Sequence, residues 1–207
     1  MKIGQIIVLN GAPRAGKSSI AGAIQQTFDG VWMNLGVDAY ARVTPPELQP
    51  GIGLRPGGER PDLEAFVPGF YAALYESIAA HSRLGLNVVA DVGHHDAYST
   101  PLHILPQCAR RLPGLPVLFV GVHCPIDIIL QRRAVAAEGV YVVASEQDPV
   151  PLPVRRWQDE VHKPGIYDLE VDTSLLSPQG CAEAIRLHLS SGPEPSAFRL
   201  LAQLPIG

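Results

Sequence analysis

Residues 11–18 read Gly11-Ala12-Pro13-Arg14-Ala15-Gly16-Lys17-Ser18, the spacing GxxxxGK[ST]. Those residue types in that order suit the cradling of a polyphosphate. Gly11 and Gly16 let the backbone turn tightly and point consecutive N–H groups inward. A helix opening at Gly16 and running through Ser18 and Ser19 adds its positive N-terminal end. Lys17 is placed to reach the β- and γ-phosphates, and the Ser18 hydroxyl to ligate Mg2+. Arg14, at mid-loop, either contacts phosphate or is solvated. A turn that only packs strand on helix is the plain alternative. Against it, the motif follows an apolar strand near the N-terminus and opens a helix, as a phosphate cradle requires.

A bound nucleotide calls for a second substrate, and transfer to an alcohol calls for a carboxylate that takes the hydroxyl proton. Asp38 is the candidate: Leu35-Gly36-Val37-Asp38 places it at the end of a second strand, on the carboxyl edge of the sheet where open α/β folds bind ligands. It can also serve as an N-cap, and the two roles are compatible. Asp91, after Val88-Val89-Ala90, is expected to end a third strand and to hold Mg2+ through water, hold substrate, or cap a helix. In Gly93-His94-His95-Asp96 two adjacent histidines rarely point at one ion, so a substrate-lining loop is expected rather than a zinc site. Arg132 and Arg133 follow a helix that starts after Cys124-Pro125. Either can neutralise a transferring phosphoryl group, or both are solvated helix charges; Arg155 and Arg156 are further candidates.

The elements needed to position these groups alternate along the chain. Strands are expected over 3–10, 31–37, 87–90, 116–122 and 169–171, and helices over 17–28, 63–82 and 178–189. Apolar runs without polar alternation fit strands covered on both faces, and strands separated by helices imply right-handed βαβ units. The expected fold is α/β, in three layers on a parallel sheet. Thr44 to Pro61, crowded with Pro and Gly, reads as a long loop, and Glu138 to Pro153 as a second interruption. After Ser191 the tail carries an apolar piece, Phe198 to Leu204, expected to pack on the surface or on a neighbouring subunit of a homo-oligomer.

A length of 207 residues suits one domain with a single core. With 46% apolar and 17% charged residues the chain is globular, and a net charge of −4 argues against broad binding to nucleic acid or to an anionic membrane. Cys108, Cys124 and Cys181 lie far apart, without disulfide or zinc-finger spacing, and are expected to be buried apolar residues. No signal-peptide pattern or bilayer-length apolar run is visible, so a soluble cytoplasmic protein is expected.

Several pieces together resemble the chloramphenicol phosphotransferase family. They are Val8-Leu9-Asn10-Gly11 leading into the loop, Gly36-Val37-Asp38, Ala90-Asp91-Val92, Val120-Gly121-Val122-His123-Cys124, and VHKPGIYDLEVDTS from Val161 to Ser174. The resemblance implies a P-loop NTPase fold with a five-stranded parallel sheet, similar to nucleoside monophosphate kinases. It implies a kinase domain over 1–190 with an acceptor-side loop over 44–61 and a lid over 132–156, followed by a tail over 191–207. It further implies ATP with Mg2+, Asp38 as base, Arg132 in the lid, and Asp172 and Thr173 near the adenine. His162, Tyr167 and Asp168 match the motif without an assigned role. The family's lid carries further basic residues about four positions after the first, where this chain has Ala136. The acceptor expected is chloramphenicol or a related small hydroxylated compound, with an apolar pocket near Phe66 and Tyr71. A nucleotide or nucleotide-sugar kinase, or an ATP-binding module without acceptor, stays open.

Overall fold

The structure is a computed structural model that describes residues 2–135, 145 and 147–206. Five strands, β1 (Ile6–Asn10), β2 (Trp32–Asn34), β3 (Asn87–Val92), β4 (Val117–His123) and β5 (Leu169–Asp172), pair in the order β2-β3-β1-β4-β5, every pair parallel. The helices in chain order are α1 (Lys17–Thr27), α2 (Val37–Val43), α3 (Pro61–Glu64), α4 (Val67–Arg83), α5 (Ile104–Ala109), α6 (Ile126–Ala134), α7 (Leu152–Glu160), α8 (Pro178–Ser191) and α9 (Ala197–Gln203).

The central strand β1 is buried along its whole length, and its residues alternate between two apolar clusters. Ile6 and Val8 meet α4, α5 and α9 on one face; Ile7 and Leu9 meet α1, α7 and α8 on the other. Covering both faces is what the unbroken apolar runs demand. Because β1 lies between β3 and β4, the loop leaving its carboxyl end opens onto the crevice where the strand order reverses. Among the described residues no helix is long and apolar enough to cross a membrane, and the three cysteines are buried and not disulfide-bonded.

Several expected boundaries are corrected. The second strand stops at Asn34, so Asp38 does not end a strand; it lies in the first turn of α2. The third strand runs past Ala90 to Val92, which puts Asp91 inside it. The single helix expected over 63–82 is two, because Pro68 sits in the first turn of a new helix and the chain breaks at Ala65-Phe66. The Thr44–Pro61 loop contains two 3-10 turns, Pro46–Leu48 and Gly51–Gly53, and buries Ile52 and Leu54 in the core. Arg132 and Arg133 fall within the last turn of α6 rather than after it. Helix α5 was not expected. The lid expected over 132–156 lies partly outside the described residues, at 136–144 and 146, and so does Ala136.

The tail packs into the domain itself. Leu201 is fully buried, and Phe198 stands edge-on to Phe119 at 5.1 Å between ring centroids. Asp168 makes the attachment: one carboxylate oxygen accepts from the N–H groups of Ser196 (2.6 Å) and Ala197 (2.9 Å), the other from Phe119 N–H (2.9 Å). Arg110 completes it by donating to the carbonyls of Ala202 and Leu204. Asp168 of the YDLEVDT stretch thus joins α9 to β4. Asp168→Ala is expected to cost about 2–4 kcal/mol, read as a lower urea midpoint, since charged acceptors of several N–H bonds are lost together. An unchanged midpoint would show that the tail adds nothing to the fold.

Candidate active site

The loop between β1 and α1 is held open by backbone geometry and closed by two side chains. Gly16 has φ +102°, a left-handed conformation that lets α1 begin immediately afterwards. Lys17 Nζ donates to the carbonyls of Gly11 (2.8 Å) and Ala12 (3.0 Å), pinning the side chain across the loop. Burial lowers the Lys17 pKa from 10.5 to about 8, opposed by the charges of Asp91 and Asp38. Ala12 and Ala15 of the loop are buried, and Ala15 offers its carbonyl to the Thr173 hydroxyl at 2.7 Å.

Ser18 Oγ donates to Asp91 Oδ2 at 2.6 Å. The β1–β3 register, with Leu9 opposite Asp91, sets this contact. It also depends on Gly36: a Cβ there would lie 2.0 Å from Asp91 Oδ1, so no other residue fits beside the carboxylate. Two adjacent hard oxygen donors at the end of the phosphate loop fit a small divalent cation. Asp38, in the first turn of α2, lines the same space.

Two cavities meet here. One, of about 540 Å3, is lined by Gly16, Ser19, Ile20, Arg132, Thr173 and Pro178 among others. The second, of about 360 Å3, is lined by Gly11, Pro13, Val37, Ile52, Asp91 and Trp157 among others. Arg14, Lys17, Ser18 and Asp38 line both. The side chains read from the sequence as phosphate-binding and proton-accepting therefore stand at the junction of two separate chambers.

The arginines divide between them. Arg132 lines the first cavity, its guanidinium donating to Thr173 Oγ1 (2.9 Å), the Thr173 carbonyl (2.8 Å) and the Arg14 carbonyl (3.3 Å). Arg14 lies along the Arg132 backbone, donating to its carbonyl. Arg133 lines the second cavity. Arg155 lines neither described cavity, and Arg156 lies 3.7 Å from Glu59 of the 44–61 segment. Asp172 does not line the first cavity although Thr173 does; its Oδ1 accepts from Ser174 N–H and Oγ, which shapes the turn and lowers its pKa.

Other sequence expectations are revised. Tyr71 belongs to the core, its hydroxyl donating to Ile52 O, and Phe66 is exposed; neither lines the second cavity. Trp157 and Ile52 line it instead and were missed, together with Arg55 of the 44–61 loop. Of the Gly93-His94-His95 stretch, Gly93 reaches the cavity, whereas both histidines are buried behind it. His94 shares a 2.7 Å hydrogen bond with the Tyr75 hydroxyl. His95 meets Trp157 edge-on at 5.1 Å and bonds Leu54 O at 2.9 Å, so it supports the cavity wall from behind.

Asn10 was also missed as an anchor, though a fully buried amide closing an apolar strand is a visible signal. Its Nδ2 donates to Val161 O (2.7 Å) and Tyr167 Oη (2.8 Å), and its Oδ1 accepts from His94 N–H (2.7 Å). Tyr167 also bonds His162 Nδ1 at 2.9 Å. Burial raises the Tyr167 pKa to about 12 and lowers that of His162 to about 4. This assigns His162 and Tyr167 a place in fixing where the phosphate loop leaves the sheet.

The chain matches the sequence profile of the chloramphenicol phosphotransferase-like proteins over residues 4–190. The chain belongs to that family. A Mycobacterium tuberculosis protein named as a putative O-phosphotransferase is 30% identical, covering 97% of this chain and 89% of its own length. Among solved structures, the Mycobacterium tuberculosis APS kinase in complex with AMPPNP and APS superposes with TM-score 0.61 at 15% identity, covering 92% of this chain and 100% of the other. The Acinetobacter baumannii shikimate kinase in complex with shikimate gives 0.59 at 13% identity, over 92% and 95%. At such identities these structures show the P-loop kinase fold, and family membership identifies the chain as a phosphotransferase.

Burial lowers the His94 pKa from 6.5 to about 3. An unfolded chain takes up that proton as pH falls below about 6.5 and the folded one does not, so stability falls with pH between about 6.5 and 3. His94→Gln is expected to flatten that dependence by about 1.4 kcal/mol per pH unit in urea titrations. An unaltered slope would mean that His94 is not held neutral.

Proposed function

We propose that this protein transfers the γ-phosphoryl group of ATP to a hydroxyl of a small molecule. The observation that carries this reading is the meeting of two cavities at Lys17, Ser18 and Asp38. A switch or a simple ATPase has no use for a second chamber opening onto the same carboxylate. The larger cavity suits the nucleotide: the loop N–H groups and Lys17 hold the β- and γ-phosphates, and Arg132 with Thr173 lies on the nucleotide's side. The smaller cavity, within the range of small-ligand pockets, suits the acceptor.

Ser18 and Asp91 would hold Mg2+, which supplies charge neutralisation to the phosphates when bound. Asp38 orients the acceptor hydroxyl and takes its proton as the oxygen bonds to the γ-phosphorus. The bond to the β–γ bridging oxygen breaks in the same displacement, and ADP leaves with the electron pair. Lys17 and Arg132 stabilise the negative charge spread over the moving group. The functional unit is the kinase domain over 1–190, with residues 44–61 on the acceptor side and residues of α6 and α7 lining the two cavities. The reaction uses free substrates in solution and needs neither nucleic acid nor a membrane surface.

Chloramphenicol is the first acceptor to test, because the family bears its name and the cavity offers an aromatic wall in Trp157. Incubation with ATP and Mg2+ followed by mass spectrometry should show a phosphoryl gain on a hydroxylated acceptor. Asp38→Asn should keep ATP binding and lose about 10²–10⁴ in kcat. ATP consumption that is the same with and without any acceptor, and the same in Asp38→Asn, would overturn the reading.

The Lys17 pKa adds a pH signature. Phosphate binding favours protonated Lys17, so ATP affinity should be constant below about pH 8 and weaken as pH rises beyond it. In Lys17→Met the affinity should be weaker throughout, and this decline above pH 8 should vanish. A decline that persists in the variant would assign it to another group.

A further inference from the structure

Resting on the reading of residues 11–18 as the phosphate site, we infer that Thr173 is a positioning residue for the phosphate loop rather than a contact to the nucleotide base. Its hydroxyl holds the Ala15–Gly16 peptide with the N–H turned toward the phosphates. A loop that binds polyphosphate through N–H groups must keep its carbonyl oxygens away from the anion. Here the carbonyls of Gly11 and Ala12 accept from Lys17 Nζ, that of Arg14 from Arg132 Nη1, and that of Ala15 from Thr173 Oγ1. Thr173 is the neutral member of this set, and it reaches Ala15 from just beyond β5.

The direction of the Thr173 bond follows from its neighbours. Arg132 Nη1 lies 2.9 Å from Thr173 Oγ1 and can only donate, so the hydroxyl accepts there and sends its single proton to Ala15 O at 2.7 Å. The Thr173 backbone is anchored in turn: its N–H donates to His123 O (3.0 Å) and its carbonyl accepts from Arg132 Nη2 (2.8 Å). Across a trans peptide, a carbonyl and the following N–H point in opposite directions. Drawing Ala15 O toward Thr173 therefore turns Gly16 N–H to the other side, where it has no protein acceptor among the described residues. Glycine tolerates the reversed peptide at little cost, so the orientation at Gly16 needs an outside hold. Reversal would present the Ala15 carbonyl to the phosphates in place of a donor.

Thr173→Ser and Thr173→Ala differ only by the hydroxyl, and tripolyphosphate is a ligand with no base. Affinities for AMPPNP and tripolyphosphate, each with Mg2+, are measured by calorimetry, with urea midpoints taken alongside. Thr173→Ala is expected to weaken both ligands by the same factor, about tenfold, the scale of one charge-assisted hydrogen bond, while Thr173→Ser stays close to the native protein. The gap between the two variants should persist in an Arg132→Ala background. A loss seen with AMPPNP and not with tripolyphosphate would put Thr173 on the base and overturn the inference. Equal behaviour of the Ser and Ala variants, or a gap that vanishes with Arg132→Ala, would also overturn it. The native protein supplies a test that needs no variant: the Gly16 amide proton should move downfield in NMR spectra when tripolyphosphate binds, and an unmoved Gly16 signal would overturn the inference. A native protein that binds neither ligand would overturn the kinase reading itself.

Discussion

The 2.6 Å hydrogen bond from Ser18 to Asp91 is the contact on which the site's geometry turns. It ties the first residues of α1 to the end of β3, two elements separated by more than seventy residues of sequence. For it to form, β1 and β3 must pair in one register, β3 must run one residue beyond Asp91, and the chain entering α2 must pass directly over the carboxylate. Only glycine at position 36 permits that passage. The same passage delivers Asp38 to the junction two residues later, so the Ser18–Asp91 pair and Asp38 are placed by one packing solution.

Asn10 imposes the complementary constraint from beneath. The last residue of β1 has a side chain that would be costly to bury without partners, and every polar atom of its amide finds one. Those partners lie on the loop after β3 and on the 161–167 segment before β5. The phosphate loop thus springs from a strand end fastened on both sides by hydrogen bonds rather than by apolar packing alone. Hydrogen bonds specify direction, and a loop that must present consecutive N–H groups to one ligand needs its base fixed in direction.

What was legible in the sequence follows from how local each feature is. The phosphate loop is contiguous, its helix starts within it, and its strand is an unbroken apolar run, so type, order and approximate limits could all be read. The position of Asp38 was misread because Leu35-Gly36-Val37 looks like strand, whereas β2 ends once Leu35 N–H has bonded the Val89 carbonyl. The helix over 63–82 was overextended because apolar periodicity continues across Phe66, and Pro68 reads equally well as an interruption or as a first-turn residue. Helix α5 is six residues long with Pro106 inside it, too short for periodicity to declare it. The role of Asp168 depends on backbone N–H groups almost thirty residues away, which no spacing rule announces.

The smaller chamber was the least legible part, and for a physical reason. Beyond the phosphate loop, its lining comes from α2, the 3-10 segment, β3, α6 and α7, each supplying one to a few residues with no motif in common. Sequence proximity suggested Phe66 and Tyr71 as an aromatic pocket, but α4 turns Tyr71 into the core, and the aromatic wall comes from Trp157 nearly ninety residues later. The cations of the lining are equally scattered: Arg55 comes from the 44–61 loop, where Arg60 pairs with Asp62 at the surface, and Arg133 comes from α6. Phosphate recognition can be written into a short loop because the phosphate chain is the same in every nucleotide. A chamber assembled from single residues on many elements can be altered one side chain at a time without disturbing Ser18, Asp91 or Asn10.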